Sequence, residues 1–410
     1  MPHIAIIGSG PAGCYLADHL LRLAPAAQID VIERLPVPFG LVRYGVAPDH
    51  QGTKAVVRVL DRVLARERIG FFGNLEVGRD LKLDELRALY DAVVLATGAP
   101  DDRRLGIPGE ALPGVVGSAA FVGWYNSHPD HAAPALHAVR SAVVVGNGNV
   151  AIDVARILAK SAAELAGSDL ASQVHARLAA LPLETIHVVG RRSAADAKFT
   201  QHELAELGTL ARARPRVADP AALAGDTPIV ELLRGFAADA RTAPVEIVFH
   251  FGLAPAAFVG DQQLQAVRFT RAGGSTLELP AQLAVTCIGY RSSGCCSAAA
   301  VDGVVPNQDG RVDDGLYVTG WAKRGPSGTI PTNRSEAQQV AQRLVAELRD
   351  HGRPGRAGLS ALLAARGLRR VDHAGWKQID AAELAGAASD RCRRKFDSVE
   401  AMLAAIDPPG

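Results

Sequence analysis

The sequence predicts an α/β protein built from two Rossmann-like dinucleotide-binding units. Three observations point there. A glycine fingerprint follows a short apolar run twice, at residues 8–13 and 146–151. Each fingerprint is followed by a second apolar strand that ends in charge, "IDVIER" at 29–34 and "IHVVGRR" at 186–192. The chain has 410 residues, too many for one ordinary core.

The first unit is "HIAIIGSGPAGCYLADHLLRL". Ile4 to Ile7 read as a buried parallel strand, and the residues after Gly13 as a helix. In G-x-G-x-x-G, Gly8 permits the tight turn, Gly10 lets a pyrophosphate approach the backbone, and Gly13 lets helix and strand pack closely. The free N–H groups and positive dipole end of the helix then face the phosphates. Gly8, Gly10, Ala12 and Gly13 are the candidate contacts in this turn. Glu33, with Arg34 beside it, lies twenty residues after Gly13 at the end of the next strand. A carboxylate there accepts hydrogen bonds from a free ribose diol.

The second unit is "SAVVVGNGNVAIDVARILAK", where Gly146, Gly148 and Ala151 fit the G-x-G-x-x-A variant. Its partner strand is delayed by a helical and loop insertion at about 161–183 and ends in Gly190, Arg191 and Arg192. An acid at that place repels a 2′-phosphate, whereas a guanidinium binds one through paired charge-assisted hydrogen bonds. The first site is therefore suited to FAD and the second to NADP(H), and the pair implies hydride traffic between flavin and nicotinamide. Two apolar strands, "DAVVLATGAP" (91–100) and "LAVTCIGYR" (283–291), read as closing the two units. A strand, glycine-rich loop and helix at 312–345 read as a return to the first.

Composition narrows the class. The chain is 48% apolar and 21% charged with a formal net charge of +1, so no global field favours nucleic acid or an acidic membrane. No apolar run reaches membrane-spanning length. The N-terminus opens directly into a strand with no signal-like segment, which sets a cytoplasmic expectation. The cysteines at 14, 287, 295, 296 and 392 form no C-x-x-C pair, so neither a metal site nor a dithiol redox centre is indicated. Adjacent Cys295 and Cys296 read as unreactive thiols in a turn.

Several stretches together resemble the ferredoxin–NADP reductases of the adrenodoxin reductase type: "GSGPAG", "VPFGLVRYGVAPDHQGTK" (37–54), "TGAPDDRRLGIPGE" (97–110), "FVGWYNSHPD" (121–130), "VVGNGNVAIDVARIL", "VGRR…FTQHELAEL" and "GWAKRGPSGTIPTN". The second and last are the specific ones. The resemblance spans nearly the whole chain. It implies a discontinuous FAD-binding domain, 1–101 and 287–410, with the NADP-binding domain, 102–286, inserted into it.

The resemblance also implies roles. Glu33 holds the FAD ribose, Leu41 lines the flavin, and Trp321 with the Gly328, Thr329 and Ile330 backbone covers the flavin's carbonyl side. Asn147, Gly148, Asn149 and Val150 form the NADP pyrophosphate turn, and Arg191 and Arg192 the 2′-phosphate clamp. Arg103 and Glu203 are further NADP contacts, and Gly328 also lies near the nicotinamide. His50 and Glu206 form a pair beside the site of hydride transfer. The implied activity is reduction of FAD by NADPH, followed by single-electron transfer to a ferredoxin-like iron–sulfur protein. Two other functions fit the same residues: an NADPH-dependent flavin oxidoreductase with a small-molecule acceptor, and a non-catalytic NADP(H) sensor.

The chain departs from the family pattern at Thr329, Pro331 and Arg334 in the flavin loop, and at Asp390 and Cys392 near the C-terminus. Trp124, Tyr125 and Asn126 are expected to pack between the domains, and 359–368 to form a packed helix. Arg234, Arg241, Arg393, Arg394 and Lys395 are candidates for a docking face toward an acidic partner.

Overall fold

The computed structural model describes residues 1–136, 138–292 and 300–406. Cys295 and Cys296 lie outside the described residues. Two six-stranded sheets organise the chain. The first runs, edge to edge, Arg311–Asp313, Leu316–Val318, Ala92–Leu95, His3–Ile7, Gln28–Ile32 and Ile69–Phe72. All its neighbours are parallel except the first pair. The second runs Val115–Gly117, Leu283–Thr286, Ser141–Val145, Thr185–Val189, Val245–His250 and Ala213–Val217, parallel throughout.

Sheet membership follows the chain in a nested order. The first sheet draws on residues before 96 and after 310, and the second on residues between. The two crossings between sheets meet as an antiparallel ribbon, Asp101–Asp102 against Tyr290–Arg291.

The strands carry apolar runs because both faces are covered. In the first sheet Ile4, Ile6, Ile29 and Val31 face the helices Pro11–Leu23 and Ile330–Glu347. Ala5, Ile7, Ile32, Val93 and Leu95 face the opposite layer, which includes Leu359 and Leu363. Those leucines belong to the helix Gly355–Ala365, so the expected 359–368 helix is real but shifted toward the N-terminus. It stops before Gly367, whose φ of 63° is left-handed.

In the second sheet one face packs on the helices Asn149–Ala159, Gln201–Leu207 and Pro228–Ala238. The other lies under a three-stranded antiparallel sheet, Leu253–Val259, Ala266–Arg271 and Thr276–Pro280.

Two histidines stand side by side on adjacent strands of the second sheet, His187 Nδ1 3.0 Å from His250 Nε2. Burial pushes both imidazoles down to about 4, and His187 and Arg271 add to the shift at His250. An unfolded histidine titrates near ~6.5, so acid protonates the unfolded chain first. The pair's contribution to stability is complete above ~6.5 and is lost as pH falls from there to about 4. Each unit of displacement carries about 1.4 kcal/mol. The urea midpoint should therefore fall more between pH 7.5 and 4.5 for the native chain than for the double variant His187→Asn/His250→Asn. Equal falls would mean that the pair does not govern this window.

The C-terminal segment corrects one expectation. Lys395 is only 3% exposed and is not part of any outer face. Its Nζ and that of Lys54 both donate to Asn126 Oδ1 at 3.0 Å, and Lys54 holds both oxygens of Asp169 at 2.8 Å. Arg393 is paired with Asp380 (2.6 Å) and Glu383 (2.9 Å), Arg234 with Asp226 and Arg241 with Asp239. Of the five candidate docking cations, Arg394 alone is exposed with no ion pair among the described residues. Of the three residues expected to pack between the domains, Trp124 and Tyr125 lie in the core of the second sheet, and Asn126 links to Lys54 and Lys395 through hydrogen bonds.

Candidate functional site

Both fingerprints fold into the same local shape. After His3–Ile7, Gly8 takes φ 108°, and a Cβ there would lie 2.5 Å from the Ala96 carbonyl oxygen. After Ser141–Val145, Gly146 takes φ 145°, and a Cβ would lie 2.2 Å from the Cys287 carbonyl oxygen. This explains the apolar segments that end in Thr97-Gly98 and Ile288-Gly289: each brings a neighbouring strand's backbone against a glycine turn. Gly13 is equally tight, 2.0 Å from the Gly8 oxygen. Gly10 and Gly148, which start the two helices, differ: a Cβ on either meets no atom within 4 Å. Each turn thus has a tightly packed glycine behind it and open space at the start of its helix, as close approach of a pyrophosphate requires.

The strand ends carry opposite charge. Glu33 Oε2 accepts from Ser9 N (3.0 Å) and Ser9 Oγ (2.7 Å), and Oε1 from Leu35 N (3.2 Å). These bonds aim the carboxylate and leave lone pairs for ribose hydroxyls. Arg34 is already engaged, pairing with Asp130 at 2.6 Å. It fastens the 128–130 loop beside this strand end. At the second strand end Arg191 and Arg192 are exposed, with no side-chain partner among the described residues. The Asn147 side chain fills the space over Gly190, where a Cβ would come within 1.8 Å of Nδ2. Asn147 Oδ1 is buried without a hydrogen-bond partner, an acceptor left for a ligand donor. Val150 is half-buried beside it. Arg103 Nε donates to the Tyr290 carbonyl at 2.9 Å, so this arginine ties the two chain crossings together.

The glycine-rich loop after Val318 lies over the first turn. A Cβ on Gly320 would meet Ala12 Cβ at 2.6 Å, so the loop rests directly on the phosphate helix. Trp321 Nε1 donates to the Ser327 carbonyl (3.0 Å), and the indole stacks on Tyr290. Glu336 gathers Gly320 N (2.9 Å), Lys323 Nζ (3.2 Å) and the Arg324 guanidinium. Gly328 has φ 80°, and Thr329 caps the helix Ile330–Glu347 together with Thr332. Pro331 falls in the first turn, where the helix has no use for its missing N–H. Leu41 is 44% exposed.

Between the two turns lies a charged seam that joins the sheets. His50, from the first unit, sets Nε2 3.1 Å from Glu206 and 3.8 Å from Glu203, both on the helix Gln201–Leu207. His50 Nδ1 is 3.9 Å from Asp153. Arg156, 1% exposed, pairs with Asp49 and Asp153 and reaches Glu206 at 3.4 Å, and Lys160 holds Asp49 at 2.6 Å. Against the cost of burial, Arg156 and Lys160 keep Asp49 below the usual carboxylate range. Burial and then Asp153 raise Glu203, and burial raises Asp153. Oxygen and nitrogen atoms of His50, Glu203 and Glu206 lie within 4.8 Å of one another, a donor set that could hold a metal ion. Here His50 and Arg156 already serve as the partners of Glu206.

Sequence reasoning brought His50, Glu203 and Glu206 forward but missed Asp49, Asp153, Arg156 and Lys160. The signal was present. Asp153, Arg156 and Lys160 recur at helical spacing on the fingerprint helix, on the side where an otherwise apolar helix meets the other sheet. No helix among the described residues is long and apolar enough to cross a membrane.

Comparison with known proteins agrees with this geometry. The pyridine nucleotide-disulphide oxidoreductase family matches residues 2–207. A mitochondrial NADPH:adrenodoxin oxidoreductase of Arabidopsis thaliana is 37% identical, covering 98% of this chain and 95% of the relative. A probable ferredoxin/ferredoxin–NADP reductase of Mycobacterium tuberculosis is 40% identical over 98% of this chain and 75% of its own length. The solved structure of Mycobacterium tuberculosis FprA in complex with NADPH is similar with a TM-score of 0.92 at 36% identity, over 99% of this chain and 100% of that one.

Proposed function

The chain belongs to the adrenodoxin reductase type of the pyridine nucleotide-disulphide oxidoreductases, and from that premise we propose that it is an NADPH-dependent FAD oxidoreductase serving a ferredoxin-like iron–sulfur protein. The observation that carries the reading is the contrast between two alike turns: an oriented carboxylate at one strand end, two unpaired guanidinium groups at the other. FAD belongs at the first and NADP(H) at the second. We assign 1–101 with 287–410 to FAD binding and 102–286 to NADP binding.

When bound, the cofactors would supply the chemistry, hydride exchange between nicotinamide and flavin and one-electron transfer to the partner. The chain binds and orients. The Gly8–Gly13 turn and Glu33 fix the FAD pyrophosphate and ribose, and the 320–330 loop with Leu41 encloses the flavin. Asn147 to Val150 receive the NADP pyrophosphate. His50 Nε2 meets the Glu206 carboxylate at 3.1 Å, a contact from the second unit that would orient the imidazole beside the hydride-transfer site. Arg156 holds Asp49, next to His50, against the second unit, a tie that would help keep the two cofactor sites in register. We place the protein in the cytoplasm, a compartment where free thiols such as Cys14 persist.

The test is spectroscopic. The purified protein should carry FAD, bleach rapidly with NADPH under anaerobic conditions, and bleach much more slowly with NADH at the same low concentration. The reduced protein should then reduce a ferredoxin. Turnover with quinones or oxygen but with no ferredoxin tried would point instead to a small-molecule acceptor, and flavin that NADPH never bleaches to a sensor.

A further inference from the structure

We propose that Lys198 is a third cation of the second nucleotide site, binding the 2′-phosphate together with Arg191 and Arg192. This rests on the assignment of that site to NADP(H).

The loop that leaves strand Thr185–Val189 does not wander off. It returns to the fingerprint turn and is stitched there by three bonds. Lys198 N donates to the Asn147 carbonyl at 2.7 Å, Phe199 N to the same oxygen at 3.1 Å, and Thr200 N to Asn149 Oδ1 at 2.8 Å. Residues 191 to 198 thus form a short arc between the strand end and the phosphate turn. Lys198 stands at its near end with its backbone fixed and its side chain exposed.

The charges on this arc do not balance. Arg191, Arg192 and Lys198 have no hydrogen bond or ion pair through their side chains among the described residues. The arc's one acid, Asp196, is turned back on Ser193 Oγ at 2.7 Å. Its carboxyl lies below the usual range, first through that hydrogen bond, then through the Ser193 backbone and the nearby charges of Arg192 and Lys198. A 2′-phosphate carries a charge of roughly −1.5 to −2 near neutral pH and offers three acceptor oxygens, which can take an ammonium donor as well as two guanidinium groups. The N–H groups of the turn already serve the pyrophosphate. The unassigned anion for Lys198 is therefore the 2′-phosphate.

The experiment measures binding to the FAD-loaded protein by calorimetry, with two probes that differ only in that phosphate: 2′,5′-ADP and 5′-ADP. Lys198→Ala should weaken 2′,5′-ADP about fivefold, as one exposed charge-assisted contact does, and leave 5′-ADP unchanged within about twofold. Lys198→Arg should bind 2′,5′-ADP like the parent. The affinity of Lys198→Ala should also fall less steeply with salt. Equal weakening of both probes, or none, overturns the inference. Arg191→Ala/Arg192→Ala is the control for the premise. If it loses 2′,5′-ADP while Lys198→Ala does not, the site stands and Lys198 is plain surface. If neither variant discriminates between the probes, the site assignment itself falls.

Discussion

Replacing Arg191 and Arg192 together by Ala should abolish most of the preference for NADPH over NADH. Each lost charge-assisted contact is worth about 1.5–3 kcal/mol, and tenfold in affinity is about 1.4 kcal/mol. Both side chains are exposed, so the lower end of that range applies, and the expected loss is about a hundredfold in the NADPH concentration that half-reduces the flavin. The NADH dependence should barely move, because nothing in NADH meets these groups. The double variant should also fold normally, since neither side chain has a partner among the described residues to lose. Stopped-flow bleaching with each nucleotide, over a concentration series, measures both effects. A variant that still strongly prefers NADPH would show that the discriminating cations lie elsewhere, and with them the second nucleotide site.

How much of this was legible beforehand depends on whether a feature is local. The two turns were legible because a strand, a positive-φ glycine and a helix start are all written within ten residues. Glu33 was legible because it ends the next strand at the usual distance from its turn, and Arg191 because its strand, though delayed by the insertion at about 161–183, repeats an apolar run ending in charge. The strands before Gly98 and Gly289 could be recognised, but their purpose could not. Only the coordinates reveal that the Ala96 and Cys287 carbonyls leave no room for a side chain at Gly8 and Gly146.

Lys395 was misread for a related reason. A basic run such as "RCRRK" is solvated by default, and nothing near it in sequence says that Asp169 and Asn126 wait inside to receive the ammonium group. The same holds for half of Arg156's pairing: Asp153 on its own helix could be seen, but its other partner, Asp49, is more than a hundred residues away. Long-range ion pairs between the two units carry no periodicity, so pattern reading misses them even when it finds the fold.

The glycines at the two helix starts allow the cofactor sites to be separated by single methyl groups. Gly10 has φ −66° and ψ 179°, and Gly148 has φ −114° and ψ 174°, conformations that alanine adopts without strain. A Cβ at either position meets no atom of the described residues within 4 Å. Gly10→Ala should therefore fold as well as the parent, or be more stable by about 0.4–1 kcal/mol through the loss of unfolded-state freedom. Yet its methyl occupies the concavity meant for a pyrophosphate, so it should be purified nearly colourless while still binding 2′,5′-ADP. Gly148→Ala should behave in the opposite way: yellow, with a normal flavin content, and unbleached by NADPH at concentrations that saturate the parent. Gly13→Ala is the contrast. Its methyl would sit 2.0 Å from the Gly8 oxygen, a backbone atom that cannot swing aside, so helix and strand must part and stability should fall by about 1–3 kcal/mol along with flavin binding. Flavin absorbance, thermal melting and nucleotide calorimetry on the three variants distinguish these outcomes. If Gly10→Ala retains its full flavin content, or Gly148→Ala is bleached like the parent, the open faces of these turns are not where the pyrophosphates lie.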